Sequence, residues 1–212
     1  SVGKLPERFE MRTLFSDYWE VLTHEKGGRF LASRYTLFSA LTSGVFFAYL
    51  TNSMAIFTQY FSLTQFQFCL IFGFGGLCAM FGTVLSKRLM RRLSPMRIAN
   101  YGNWIHIVLL FVVWILSLFD QLGLEGVLFA LFVSVSVAGG IRPTVAGVYM
   151  TFFDRLSGAA ASLHSTVIFL FGGLIGALAA MLSEGSLMPI FGIMLLTSIA
   201  ARVVLWNMNL DN

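Results

Sequence analysis

The chain has 212 residues, of which 57% are hydrophobic and only 11% carry a charged side chain. Soluble domains carry about 25% charged residues, so this composition and a mean hydropathy of +0.80 predict an integral membrane protein. The net charge of +4 is typical of basic loops on one side of a membrane, and it does not indicate a nucleic-acid partner.

Residues 1–28 are predicted to form a cytoplasmic linker that contains one amphipathic helix. Its apolar residues follow the helical spacing i, i+3, i+4, i+7, with charged residues between them. Such a helix lies on the membrane surface or docks on the ends of the spans, and the sequence leaves both open. The apolar positions are Met11, Leu14, Phe15, Tyr18, Trp19 and Leu22.

Residues 29–212 are predicted to form an all-α domain of six transmembrane helices. A span needs about 20 apolar residues. The chain contains six such runs, separated by short polar segments. They cover approximately residues 30–50, 66–85, 98–118, 126–150, 158–182 and 187–206.

The orientation follows from the basic stretch Gly82–Arg97, which lies between two long uncharged runs. A Lys or Arg in hydrocarbon costs about 2.5–3.5 kcal/mol, so the stretch is predicted to be a loop on the cytoplasmic side. The loops on the opposite side, 51–65, 119–125 and 183–187, contain no Lys or Arg. Both termini are then predicted to be cytoplasmic.

The order and spacing of several motifs resemble the C-terminal half of major facilitator superfamily transporters, specifically multidrug exporters of the bicyclomycin-resistance (Bcr/CflA) type. The basic loop is similar to that superfamily's G-x-L-x-D-R-x-G-R-R motif, without its Asp. Met54 stands where Pro is common in the family, and Thr144 stands where Asn is usual. The other matching segments are Leu5–Glu7, Phe47–Ser53, Leu63–Phe66, Pro143–Val145 and Ser157–Leu163.

The resemblance implies a fold and an activity. The six spans would form two inverted three-helix repeats, and substrate would bind between this half and a missing N-terminal half. The activity implied is proton-coupled efflux of drugs or other small molecules across a bacterial inner membrane. The chain begins at Ser1 without an initiator Met, which is expected of a fragment of a longer protein.

Four residues within the spans are candidates for contact with substrate or protons. Arg142 could bind an anionic group or pair with Asp154 or with a carboxylate of the other half, or it could only extend to the cytoplasmic surface. His106 and His164 could relay protons or form interhelical hydrogen bonds. Asn52 could line an outer vestibule. No Asp or Glu lies at mid-membrane, so the coupling carboxylate is expected in the other half.

Two further groups are candidates for conformational change. Arg88, Arg91 and Arg92 could hold one gating state or serve only as topology charges. Gly139, Gly140 and Pro143 are predicted to break the fourth span and to act as a bend or gate. The remaining glycines of spans two and five are predicted to let helices approach closely; they are Gly73, Gly75, Gly76, Gly82, Gly172, Gly173 and Gly176.

Other functions receive less support from the sequence. Cys69 and Cys78 fall in one span, where they are expected to pack rather than to bind metal or form a disulfide. An intramembrane enzyme would need a nucleophile and a base at depth, and only His164 with Ser162 and Ser165 comes near this pattern. No enzyme activity and no cofactor is predicted. A six-span subunit that regulates another protein stays open as the alternative.

Overall fold

A computed structural model describes residues 11–23, 31–153, 156–183 and 185–206 of the chain. Within these residues the secondary structure is helical, with turns between helices and no strand. Six helices are long and apolar enough to cross a membrane, which confirms the all-α membrane fold. The predictions for Leu5–Glu7 and Asp154 fall outside the described residues.

Helix α1 covers Met11–Thr23, and the six long helices follow it in order. The spans are α2 (Leu31–Met54, continued by a π-helical segment Ala55–Tyr60), α3 (Gln65–Leu89), α4 (Pro95–Leu118), α5 (Leu124–Met150), α6 (Ser157–Ser183) and α7 (Met188–Trp206).

The loops are shorter than predicted, since polar residues at the span ends continue the helices. The predicted loop 51–65 is reduced to residues 61–64, because the first span stays helical as far as Tyr60. Thr64 then starts α3 with a capping box, in which Gln67 and Thr64 satisfy each other's backbone N–H groups. Likewise the basic stretch Gly82–Arg97 is helical except for residues 90–94, and Ser94 caps α4 before Pro95.

The helices form a bundle in which the first and fourth spans are central. Helix α2 packs extensively on α6 and α7, and α5 packs on α3 and α4. Helices α2 and α5 also touch each other, as do α4 and α7. We call the end that carries residues 90–94 the basic side, and the opposite end the neutral side. One buried apolar cluster lies near each side.

The predicted break of the fourth span at Gly139, Gly140 and Pro143 is wrong. Helix α5 is continuous from Leu124 to Met150, with Pro143 inside it. Pro143 has no N–H to give to the carbonyl of Gly139 four residues earlier. The Oγ1 of Thr83 on α3 donates to that carbonyl at 2.8 Å instead. A neighbouring helix therefore satisfies the group that the proline leaves free, and the helix persists.

Glycines in both α3 and α5 allow these two helices to pack closely. A Cβ at Gly82 would clash with the carbonyl of Ser136, and a Cβ at Gly139 would clash with Ala79. In the same way, Gly172 and Gly176 of α6 admit Phe47 and Thr51 of α2. These contacts confirm close helix approach at Gly82, Gly172 and Gly176.

Other glycines make no such contact. A Cβ at Gly73, Gly75, Gly76 or Gly173 would meet no atom within 4 Å, so the prediction that they pack helices together is wrong within this chain. Gly73, Gly76 and Gly173 are exposed, on faces that α3 and α6 turn away from the bundle, whereas Gly75 is on the inner face of α3 but has no atom within 4 Å of where its Cβ would be.

Helix α1 contacts the basic-side end of α6. The hydroxyls of Tyr18 and Ser162 are 2.9 Å apart, and Val21 is buried in the apolar cluster of that side. The amphipathic segment is therefore docked on helix ends.

Candidate functional site

Arg142 is the charged residue that lies deepest in a span. It follows Leu124 by about 27 Å of helix rise, which leaves about 12 Å to the end of α5 at Met150. Its guanidinium lies over the ring of Phe46, with the Cζ atom 5.6 Å from the ring centroid. Phe46 is near the middle of α2, so the charge lies between the two central helices.

The direction of the Arg142 side chain bears on its role. Side chains of a helix lean toward its N-terminus, and α5 begins on the neutral side. Arg142 therefore extends toward the membrane interior, whereas snorkelling would require the opposite direction. Among the described residues, no carboxylate or other hydrogen-bond acceptor binds its guanidinium. The proposed pairing with Asp154 lies outside them.

His164 joins three helices near the basic side. Its Nδ1 is 3.2 Å from the Oγ1 of Thr36 on α2, and its ring stacks on Tyr149 of α5 at 4.4 Å. The hydroxyl of Tyr149 in turn donates to the carbonyl of Ala160 on α6. This node fixes α2, α5 and α6 at one level.

His164 does not form a nucleophile–base pair with the nearby serines. The Ser162 hydroxyl bonds the carbonyl of Ala159 and lies beside Tyr18, and Ser165 is exposed. The described contacts of His164 are to Thr36 and Tyr149, and they do not provide the arrangement an intramembrane hydrolase would need.

His106 lies in the interior of the bundle with no exposed surface. Its Nε2 is 3.0 Å from the carbonyl oxygen of Ser134 on α5. Since a carbonyl only accepts, Nε2 carries a proton and is the donor. Nδ1 has no partner among the described residues. The contact is an interhelical hydrogen bond.

Two more polar contacts follow His106 along α4 toward the basic side. Asn103 donates from Nδ2 to the carbonyl of Ser198 on α7 at 3.1 Å. One turn further, Arg202 of α7 donates to the Oδ1 of Asn100 and lies over the ring of Trp104, 5.1 Å from its centroid. These contacts join α4 to α7, while Asn103 Oδ1, Ser198 Oγ and Arg202 Nε have no hydrogen-bond partner among the described residues.

Asn52 does not face an open vestibule. It is buried, and its Nδ2 donates to the carbonyl of Ala48 on its own helix at 2.8 Å. A second, longer contact of 3.4 Å reaches the carbonyl of Gly176 on α6. Asn52 therefore marks the close crossing of α2 and α6. Tyr49, one turn earlier, is buried as well.

The three arginines of the basic loop are exposed and lie close together. Arg88 is in the last turn of α3, where a positive charge is favourable next to the C-terminal carbonyls. Arg91 and Arg92 follow in the turn that leads to Ser94. No described acidic side chain forms an ion pair with any of the three.

The sequence alone did not reveal several residues of these polar nodes. Thr36, Tyr149, Asn100 and Asn103 pair with groups at least eleven and up to 128 positions away in the chain. One signal was present: a polar residue inside an apolar span must find a partner on another helix. That rule selects the residue but not its partner.

The fold and these contacts define a polytopic α-helical membrane protein in which Arg142, between the two central helices, has no ion-pair partner among the described residues. This assignment rests on the six helices that are long and apolar enough to cross a membrane. No family model matches the chain, and a search of curated proteins gave no match.

Proposed function

We propose that this chain is one six-helix half of a secondary transporter that moves small molecules across a membrane, with proton-coupled export of drugs or other amphipathic compounds as its activity. The observation that carries the proposal is the symmetry of the helix packing. It agrees with the resemblance of the motifs to the C-terminal half of major facilitator transporters of the Bcr/CflA type.

The symmetry appears when α2–α4 are exchanged with α5–α7. The contact of α2 with α6 then becomes that of α5 with α3, and the contact of α2 with α7 becomes that of α5 with α4. The contacts α2–α5 and α4–α7 map onto themselves. Because each three-helix unit starts on the opposite side of the membrane, the two units are related as inverted repeats. This internal symmetry is characteristic of many secondary transporters.

Inverted repeats place the substrate near mid-membrane, at the interface of the repeats. Arg142 and Phe46 occupy that position, on α5 and α2. An intramembrane cation without a partner is costly unless a negative group neutralises it during function. We therefore assign Arg142 the role of binding an anionic group, either on the substrate or on a carboxylate of the other half.

Proton coupling is expected to depend on the other half. The acidic residues Asp120 and Glu125 lie at the neutral-side ends of α4 and α5, and no Asp or Glu lies within the six spans between their end turns. Coupling needs an ionisable group that exchanges its proton during the cycle. The faces of α3 and α6 that carry Gly73 and Gly173 would contact that half.

The proposed orientation has the basic side in the cytoplasm, in a bacterial inner membrane. Among the described residues, the Lys and Arg side chains other than Arg142 belong to α1 or to helix ends and turns on this side, in agreement with the positive-inside rule. Arg88, Arg91 and Arg92 would then be available to hold helix ends in one gating state.

The alternative is a six-span subunit that regulates a partner without transporting. The feature in its favour is the absence of a carboxylate at mid-membrane in this sequence. The two proposals differ in what Arg142 does, since a regulatory subunit needs no anion site between α2 and α5.

The test is flux in everted membrane vesicles that contain the native gene product. A pH gradient should drive uptake of fluorescent amphipathic compounds, and dissipating the gradient should abolish it. Arg142→Gln should lower this flux at least about tenfold, since a charge-assisted bond at low dielectric is lost, while Arg142→Lys retains part of it. Arg202→Lys, which keeps a structural charge, is the control. Wild-type flux in Arg142→Gln would refute the role of Arg142, and no gradient-driven flux would refute transport.

A further inference from the structure

A groove opens between α3 and α4 at the basic side. The two helices diverge from residues 90–94 and make no extensive contact, so α5 forms the floor between them. The walls are almost wholly apolar, and the groove comprises about 560 Å³ of space between atoms, part of which is open to the surroundings. The residues that face it from the walls include Leu85, Leu89, Leu93, Tyr101 and Ile105.

The walls of this groove are exposed rather than buried. Tyr101, Ile105 and Leu85 are each 43–56% exposed, although all three lie within or next to apolar spans. The repeat-related helices α6 and α7 do contact each other, so the corresponding gap is smaller there. The groove is therefore specific to the α3–α4 pair.

Positive charge lies directly at the mouth of the groove. Leu89 lines both the groove and a second hollow formed with Arg88, Arg91 and Arg92. Lys87 adds a fourth charge at the end of α3. No described acidic residue pairs with these four side chains, so their donors are available to a ligand.

We propose that the groove and the basic loop together bind one anionic phospholipid, with an acyl chain between α3 and α4 and the phosphate on Arg88, Arg91 and Arg92. Basic residues at the mouth of an apolar gap between helices match both parts of such a lipid. Arginine also binds phosphate in a bidentate manner. A free phosphate would bind only the basic loop, and a lipid without a charged headgroup would bind only the groove. The site does not depend on transport activity.

The test is a lipid titration of the delipidated native protein in detergent, followed by native mass spectrometry. Phosphatidylglycerol should bind one molecule at least about tenfold more tightly than phosphatidylcholine of the same chains, given about 1 kcal/mol for each basic residue near the headgroup. Glycerol 3-phosphate at equal concentration should not displace it, because it lacks the chains.

Two sets of variants distinguish the contribution of the lipid headgroup from that of the acyl chain. The triple change Arg88→Gln, Arg91→Gln and Arg92→Gln should abolish the preference for phosphatidylglycerol. Its control, Lys4→Gln with Arg8→Gln and Arg12→Gln, removes three positive charges from the N-terminal segment of the sequence and should keep the preference. Leu85→Trp with Ile105→Trp should fill the groove and weaken binding of both lipids. Its control is Leu196→Trp with Val203→Trp, on the exposed face of α7.

The proposal is overturned by any of three results. The first is a preference that survives the triple change, which would place the lipid elsewhere. The second is unchanged lipid binding by the tryptophan pair in the groove, which would leave only surface attraction. The third is association of copies of the chain with no lipid retained, which would mean that a second copy covers the groove. Size-exclusion profiles and helical circular dichroism of every variant show that each one is folded.

Discussion

His106 forms an interhelical hydrogen bond, which is one of the two roles, with proton relay, that the sequence allowed it. It has no exposed surface and bonds a backbone carbonyl of α5, away from the α2–α5 contact where Arg142 lies. A proton relay needs a second partner that can pass the proton on, and Nδ1 has none among the described residues. The interhelical hydrogen bond accounts for its position.

We expect His106→Leu to lower the free energy of unfolding by about 0.5–1 kcal/mol, the usual worth of one interhelical hydrogen bond in a membrane. Leucine fills a similar volume, so the packing should survive, and gradient-driven flux should stay near wild type. Ser134→Ala is the control, since the bond is to the backbone carbonyl. Unfolding in mixed detergent micelles and vesicle flux are the measurements. A stable His106→Leu protein that has lost its flux would mean that His106 carries protons.

At the scale of the helix, Pro143 and Thr83 form a pair that neither residue reveals alone. Proline removes the donor for the Gly139 carbonyl, and the Thr83 hydroxyl on α3 supplies one. The hydroxyl also bonds the carbonyl of Ala79 on its own helix at 3.0 Å. Thr83 thus links α3 to α5 at the point where Gly82 and Gly139 bring the two backbones together.

This pairing predicts that the effects of Thr83→Val and Pro143→Ala are coupled. In the wild-type background Thr83→Val should cost about 1 kcal/mol of unfolding free energy, because a carbonyl at membrane depth loses its donor. With Pro143→Ala the new N–H serves Gly139, so Thr83→Val should cost about half as much or less. Thr166→Val, which removes a hydroxyl bonded within α6, should cost the same in both backgrounds. Equal costs of Thr83→Val in the two backgrounds would exclude the pairing.

The limits of sequence interpretation also appear at this scale. Span number and most span ends were predictable, because hydrocarbon requires about 20 apolar residues and charges must lie outside. The first loop was predicted too long, since Asn52 and Ser53 were assigned to a turn although both are buried in helix. Pro143 was predicted to break α5 because its compensating donor lies 60 positions away, on another helix. The sequence identified Arg142 as a charge within a span. Its contact with Phe46 could be found only from the way α5 packs on α2.

For the whole molecule, the glycines that contact no other helix predict how the chain assembles with a partner. Gly73 and Gly173 lie on exposed faces of α3 and α6 with open space at their Cα atoms. Glycine lowers helix stability by about 1 kcal/mol relative to alanine, so its presence on an exposed face indicates close approach of another helix. Since α3 and α6 are related by the repeat exchange, we expect both faces to contact one partner domain.

That partner should be six further helices of the same gene product or a second copy of this chain. An immunoblot of native membranes with an antibody against the C-terminal peptide distinguishes them. The first requires a mass near twice the 23.5 kDa of this chain. The second requires 23.5 kDa and cross-linking through Cys69, which is exposed on α3. In either case Gly173→Leu should abolish flux while the protein stays folded, and Ala200→Leu on the exposed face of α7 should not. A folded Gly173→Leu protein with normal flux would show that this face contacts only lipid.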